Sequence, residues 1–319
     1  MRARLLLLLA ALGIALAVPV PAAAAASGVA VEIGAVDLDG PAVSTVEVTV
    51  RNGGTAKLSK LTVTFTAPIG WTTYPASRSV KGSLSPGRTA TVEFLVHVPE
   101  RPAAFTVRQF SATATYTGGD GARIAAGTRL ERSGTPLANL PAAFGGVAVS
   151  SEADPAKGDF DGSGNSFSAE KLAEAGITPG AAVTALGATL RWPSSPVGTP
   201  DNAAGGGKTI EFTGQGGKLV FLGSGSSTSA TSTVTVWYTD GTSTTATLGF
   251  PNWSFQDAGA HGATLVASST GRNRPNGYGD AAYQYRVFAN SIPLDPAKTV
   301  ELVTLPNNGA VHVFALATA

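Results

Sequence analysis

The chain of 319 residues carries 22 Lys/Arg against 21 Asp/Glu, only 13% of its residues are charged, and it contains no cysteine. Without cysteine there is no disulfide framework, thiol nucleophile, thiolate metal site or cysteine-linked lipid, so burial alone must hold the fold. Residues 27–133 have a net charge of +3 and residues 146–319 one of −4, which leaves no basic stripe for nucleic acid or an anionic membrane.

Met1-Arg2-Ala3-Arg4 is followed by an apolar run from Leu5 to Val18 and an alanine-rich stretch from Ala22 to Ala26. This is the order of a secretory signal peptide with small-residue cleavage sites around Ala24 to Ala26. The run is also shorter than the ~20 residues that a spanning helix needs. The expectation is a secreted, extracellular protein with no membrane insertion and no anchor.

Residues 27–133 alternate with the two-residue period of half-buried strands, as in Val46-Glu47-Val48-Thr49-Val50 and Leu61-Thr62-Val63-Thr64-Phe65. Further strands are expected at Thr89–Val98, Thr106–Tyr116 and Ala122–Leu130. Turns are expected at Asn52-Gly53-Gly54, Pro68-Ile69-Gly70 and Ser85-Pro86-Gly87. Six or seven short strands at this spacing predict an immunoglobulin-like sandwich. The run from Val46 to Tyr116, with Arg51-Asn52-Gly53-Gly54, Ala67-Pro68-Ile69-Gly70-Trp71 and Leu84-Ser85-Pro86-Gly87, resembles the small NPCBM-associated domain found in α-galactosidase-type glycosidases. The resemblance implies a spacer or scaffold without a catalytic residue. Trp71, beside a turn, is read as a core or strand-edge ring, with sugar stacking as the competing role.

Residues 134–145 contain Pro136 and Pro141 and no charge, and read as a short, stiff linker that few contacts cross.

In residues 146–319, Ser168 is placed to cap a helix over Ala169–Ala175 that Gly176 ends. Phe167 and Leu172 stand at the positions of a hydrophobic staple. Strands follow at Lys208–Phe212, Lys218–Leu222, Thr233–Thr239, Thr242–Phe250, Ala263–Ala267, Tyr283–Ala289, Thr299–Leu305 and Ala310–Leu316. Asp240-Gly241 is a hairpin signal whose two central residues are both expected at positive φ. An all-β chain is therefore predicted, an immunoglobulin-like sandwich followed by a jelly-roll-like β-sandwich with one short helix. Phe160-Asp161-Gly162, Ser168-Ala169-Glu170, Trp192-Pro193, Gly198-Thr199-Pro200-Asp201-Asn202, Tyr238-Thr239-Asp240-Gly241-Thr242 and His312-Val313-Phe314-Ala315 make this half similar to the C-terminal sandwich region of secreted actinobacterial glycosidases, including α-mannosidase-like enzymes. In those relatives the region follows a catalytic domain, which is missing here.

Catalytic material is sparse: the serine-esterase G-x-S-x-G and the zincin H-E-x-x-H are both absent. His97 and His312 lie inside strand patterns, and His261 stands alone. A glycosidase pair ~5–10 Å apart would have to come from Asp159, Asp161, Asp201, Asp240 and Asp257, and no such pair is identifiable, so no catalytic residue is assigned. Asp159, Asp161, Ser163, Asn165 and Glu170 nearly reproduce a calcium-loop spacing. Against calcium, no helix enters the loop, Ser166 replaces an apolar residue and Phe167 takes a ligand position. The competing reading is a polar loop that caps backbone groups, and no cofactor is expected beyond a structural calcium ion.

Sugar binding asks for exposed aromatic faces beside amide, carboxylate or guanidinium groups. Trp253 and Trp192 are the expected stacking rings, with Asp201, Asn202 and Arg272 as hydrogen-bond partners; for Trp253 the competing reading is a packed ring that closes one end of the sandwich. Trp237, Tyr278, Tyr283, Asn252 and Asn273 form the wider pool. The expected function is a secreted, non-catalytic carbohydrate-binding accessory protein whose partner is a polysaccharide or glycan. The alternatives are a structural or adhesive surface protein and a remnant of a glycosidase that lost its catalytic domain.

Overall fold

The computed structural model describes residues 28–38, 40–99, 105–118 and 123–319. The expected signal peptide lies outside the described residues. The chain divides into two compact units, Met1–Glu100 with Gln109–Glu131, and Arg101–Arg108 with Arg132–Ala319.

The first unit is a sandwich of two antiparallel sheets. One is ordered Val29–Ile33, Val43–Asn52, Thr89–His97, Thr72–Tyr74, and the other Ser77–Ser79, Leu58–Thr66, Thr106–Gly118, Ile124–Ser133, with Ser83–Leu84 also pairing Leu58–Thr66. The alternation that marks these strands does the burying: Val46, Val48 and Val50 point inward while their neighbours face solvent. They share a core with Val63, Phe65, Phe94 and Phe110. Phe65 stacks on Phe94 at 5.4 Å and on Phe110 at 6.0 Å. Trp71 meets the edge of Phe110 at 5.6 Å between centroids, so it packs at the rim of this core.

The second unit has a five-stranded antiparallel sheet ordered Ala203–Ala204, Val311–Thr318, Lys218–Gly225, Gly277–Pro293, Thr264–Arg274. A four-stranded sheet is ordered Thr209–Gly214, Val300–Thr304, Thr231–Tyr238, Ser243–Gly249. Leu219, Phe221, Phe288 and Val313 join one core with Val234, Val236 and Val303. The intervening residues Val220, Leu222, Val287 and Phe314 join a separate core with Phe160, Phe167, Leu172, Trp192 and Trp253. Both faces of the five-stranded sheet are therefore covered, and Leu219–Gly225 is buried throughout. Two-sided burial explains the near-continuous apolar runs in its middle strands.

The short helix is Ala169–Glu174, capped by the Ser168 hydroxyl, which accepts from the Lys171 N–H at 3.1 Å. Gly176 closes it at φ +85°, and Phe167 and Leu172 enter the same core. At Asp240-Gly241 only the glycine has positive φ. The Tyr238 N–H bonds to the Thr242 carbonyl across three residues. The connection is thus a three-residue loop with a left-handed glycine, not the two-residue turn expected from the dipeptide.

The linker reading of residues 134–145 needs correction. Leu137 exchanges main-chain hydrogen bonds with Thr209 and Glu211, and Leu140 and Ala143 are buried in the second unit's core. Pro141 begins a 3-10 turn that fixes this segment against the sandwich.

Candidate functional site

The two tryptophans expected to stack on sugar are core residues. Trp253 is 2% exposed and packed among Phe160 at 4.7 Å, Phe167 at 4.9 Å and Tyr285 at 4.6 Å. Trp192 is 4% exposed and lies over Phe314 at 4.5 Å. The extra layer that covers the second face of the five-stranded sheet needs large apolar side chains, and these rings supply them. Sequence alternation cannot reveal a third layer, so rings that look like loop residues become its core.

Asp201 and Asn202 are equally internal. The Asp201 carboxylate accepts from the N–H groups of Ala148 (2.8 Å) and Val149 (2.9 Å) and from the Asn202 amide (2.9 Å). Burial pushes its carboxyl up to about 6 despite these bonds. Because Asn202 gives an amide N–H to Asp201, its oxygen faces His312 and accepts from Nδ1 at 2.9 Å. His312 Nε2 is then the acceptor for the Ser226 hydroxyl at 3.3 Å. Burial pushes His312 down to about 4, against the opposing charges of Asp159 and Asp161, so the ring is neutral at pH 7.

Ser226, His312 and Asn202 have the order of a nucleophile, a base and its orienting group. Phe160, however, lies against His312 at 4.1 Å between centroids, and the Ser226 N–H is bonded to the Ala310 carbonyl rather than free as an oxyanion donor. The chain of bonds ties the end strand Val311–Thr318 to residues 146–149 and 202.

The calcium-loop reading also fails on geometry. Asp159 accepts from the Gly164 N–H at 2.9 Å, and Asp161 accepts from the Ser163 N–H at 3.0 Å, the Asn165 N–H at 3.3 Å and the Asn165 amide at 2.9 Å. Glu170 turns away to the Glu152 N–H at 3.1 Å and the Ser151 hydroxyl at 3.0 Å. Its bonds there outweigh the burial that would raise it, and its pKa is lowered. Among the described residues no group of three His, Cys, Asp or Glu is placed to hold a metal. The loop residues close their own backbone turns instead.

Arg272, also expected at the site, lines an open cleft, although it lies on a strand and not in a loop. The strands Thr264–Arg274 and Gly277–Pro293 form a hairpin joined by Pro275-Asn276, and its register shifts between Thr270 and Arg272. Thr270 faces Gln284 and Arg272 faces Gly279, so Asp280 to Tyr283 arch out opposite the single residue Gly271. Gly271 has φ +61°, and a Cβ there would strike the Tyr278 ring. Asp280, at φ 56°, turns its side chain back into the arch. Its carboxylate accepts from Arg272 Nε at 2.7 Å, from Arg274 Nε at 3.1 Å and Nη2, and from the Tyr285 hydroxyl at 3.4 Å. Arg272 also reaches Asp161 at 3.5 Å. Burial pushes Asp280 up, but the two guanidinium groups outweigh it and hold the carboxyl below its usual range. Burial raises Tyr285 to about 12, keeping its hydroxyl a donor.

The opposite lip is the loop after Asn252. Trp253 anchors it, Ser254 closes on the Asn252 side-chain oxygen, and Arg286 Nη2 clamps the carbonyls of Asn252 (3.3 Å) and Gln256 (2.8 Å). This leaves Phe255 73% exposed, while Tyr283 on the arch is 64% exposed. Phe255, Tyr283, Tyr285, Ser254, Arg272 and Asp280 line one open cleft of about 430 Å³. What marks this cleft is that two exposed aromatic rings line it together with a partly buried ion pair.

Phe255 and Asp280 were missed by the sequence reading. The signals were there: Phe255 alternates with the buried Trp253, and Gly277-Tyr278-Gly279-Asp280 places glycine and a turn former inside a strand pattern. Trp237 is half-buried, with its indole N–H on the Thr304 hydroxyl at 3.2 Å. His97 is exposed on the outer face of the first sandwich, and His261 bonds the Thr228 carbonyl at 3.1 Å.

Residues 42–117 match the family described as the NPCBM-associated, NEW3 domain of alpha-galactosidase, the resemblance carried by the first unit's motifs. No curated protein matches the sequence. Similar solved structures include the secreted serine protease VesC from Vibrio cholerae, at 14% identity and a TM-score of 0.27, covering 84% of this chain and 48% of that one. The YadV chaperone matches at 12% identity and a TM-score of 0.19, covering 78% of this chain and 92% of that one. The chain thus spans about half the length of the protease. Residues 137–319, more than half of the sequence, match the AziU2-like β-sandwich domain, and the chain belongs to that family.

Proposed function

We propose that the protein is a secreted, non-catalytic accessory protein that binds a glycan in the cleft between Phe255 and Tyr283. One observation carries the reading: two exposed aromatic rings flank a hydrogen-bonded Arg272–Asp280 pair. Aromatic faces cover the apolar C–H face of a pyranose, and a fixed guanidinium and carboxylate give and accept hydrogen bonds at its hydroxyl groups. The arch and the Trp253-anchored loop hold these groups on strands and a packed base, so little ordering is needed on binding.

The match to a domain of α-galactosidase supports a setting beside carbohydrate-active proteins. Both matched families are accessory or sandwich domains, and the Ser226 N–H is taken by the Ala310 carbonyl, which supports binding without turnover. The leader-like sequence Met1 to Ala26 supports export. No described helix is long and apolar enough to cross a membrane.

The test is an array of neutral and acidic oligosaccharides and insoluble polysaccharides probed with the protein and with a Phe255→Ala/Tyr283→Ala variant. Binding that the double variant loses is expected. Failure of the protein to bind any member would reject the reading.

A further inference from the structure

We infer that Asp280 sets the charge selectivity of the cleft, so that it takes neutral sugars and rejects uronic or otherwise anionic ones. This rests on the glycan-binding reading and adds the substrate class.

The positive charge at the floor of the cleft is already neutralised from within. Arg272 lines the cleft and Arg274 follows two residues along the same strand, and both are directed at the same carboxylate: Asp280 accepts from Arg272 Nε and from Nε and Nη2 of Arg274. Asp161 approaches the far side of Arg272. Two guanidinium groups therefore face two carboxylates, and the Arg272 plane also lies over the Tyr285 ring at 5.6 Å. A sugar carboxylate or sulfate entering between Phe255 and Tyr283 meets guanidinium groups already paired with Asp280 and Asp161, while Arg286 under the Phe255 loop is engaged by the carbonyls of Asn252 and Gln256. It would have to displace Asp280, leaving that partly buried side chain, 15% exposed, without its partners. A neutral pyranose needs no displacement. Its hydroxyl groups donate to Asp280 Oδ1, whose one donor within the protein is Arg274 Nη2, and accept from Arg272, while its C–H face covers a ring.

Backbone geometry makes Asp280 replaceable without disturbing the arch. At φ 56° most side chains are strained, but Asn shares with Asp the ability to occupy the left-handed region. Asp280→Asn keeps the shape and removes the charge. Arg272 and Arg274 then face only Asp161, and the floor becomes an anion site.

The experiment titrates the wild type and Asp280→Asn with a neutral hexo-oligosaccharide panel and with oligouronides of matched length, at low and at physiological salt. Melting curves establish that both proteins are folded. The wild type is expected to bind a neutral oligosaccharide with little salt dependence and to prefer it over the oligouronide by on the order of tenfold or more. Asp280→Asn is expected to gain affinity for the oligouronide, and that gain should weaken steeply with salt. Wild-type binding of the oligouronide as tightly as the neutral sugar would overturn the inference and leave the binding function standing. A folded Asp280→Asn protein that gains no oligouronide affinity would overturn it in the same way. Absence of all neutral-sugar binding by the wild type, with the variant still acquiring the oligouronide, would instead reject the binding function and retain the charge rule.

Discussion

Replacing Asp201 by Asn should make the second unit lose stability toward acid more steeply than the wild type, and replacing His312 by Gln should make it do so less steeply. Both residues are nearly buried and are joined through Asn202. Burial raises Asp201 to about 6 from 3.8, so the folded state holds its proton more tightly than the unfolded chain. That contribution is fully present below pH ~4 and is lost as pH rises through about 6. Burial lowers His312 to about 4 from 6.5, so its contribution is present above pH ~6.5 and is lost as pH falls through about 4. Each shift is about two units, on the order of 3 kcal/mol at 1.36 kcal/mol per unit. The two pH dependences have opposite sign and nearly cancel between pH 4 and 6.5. Urea unfolding at pH 4, 5.5 and 7, followed by tryptophan fluorescence, reads the slopes, and carboxylates common to all three proteins drop out of the comparison. From pH 7 to 4, Asp201→Asn should lose roughly 3 kcal/mol more than the wild type, and His312→Gln should lose roughly 3 kcal/mol less. Parallel slopes in all three proteins would refute the coupling.

Trp253→Ala should cost on the order of 3–5 kcal/mol, because it opens a cavity between Phe160, Phe167 and Tyr285; a change below about 1 kcal/mol by urea unfolding would contradict its place in the core. The fragment 146–319 should be less stable than the fragment 135–319 by roughly 3 kcal/mol, since it lacks the buried Leu140 and Ala143 and the Leu137 hydrogen bonds. Equal melting temperatures would restore the linker reading. Chelation with EDTA should leave the melting temperature unchanged, because Asp159, Asp161 and Glu170 are already occupied by protein donors; a fall of several degrees would bring the calcium loop back.

Strand identity was legible because burial on one face leaves a two-residue period. Val46, Val48 and Val50 are inward as that period requires, and the cap, staple and glycine stop around Ala169–Glu174 are local signals that local chemistry obeys. The candidate site was not legible for a reason of layers. Trp192 and Trp253 follow strand ends, where solvent is the ordinary neighbour, but residues 147–201 fold over the second face of the five-stranded sheet and enclose them. The distance in sequence between that cover and the strands leaves no periodic trace. Arg272 was named for its chemistry, yet its partner Asp280 is created by a register shift that depends on how two strands pair. Residues 137–145 looked like a linker because they lack charge, whereas lack of charge here accompanies burial of Leu140 and Ala143.

The most direct measurement is the affinity of the protein, Phe255→Ala, Tyr283→Ala and Trp237→Ala for one glycan that the wild type binds, each variant paired with a melting curve. Loss of either exposed ring should weaken binding by on the order of tenfold while leaving stability within about 0.5 kcal/mol of the wild type. Trp237→Ala, altered on the other sheet, should bind as the wild type does. Unchanged affinity in both Phe255→Ala and Tyr283→Ala, or loss confined to Trp237→Ala, would contradict the placement of the sugar in this cleft.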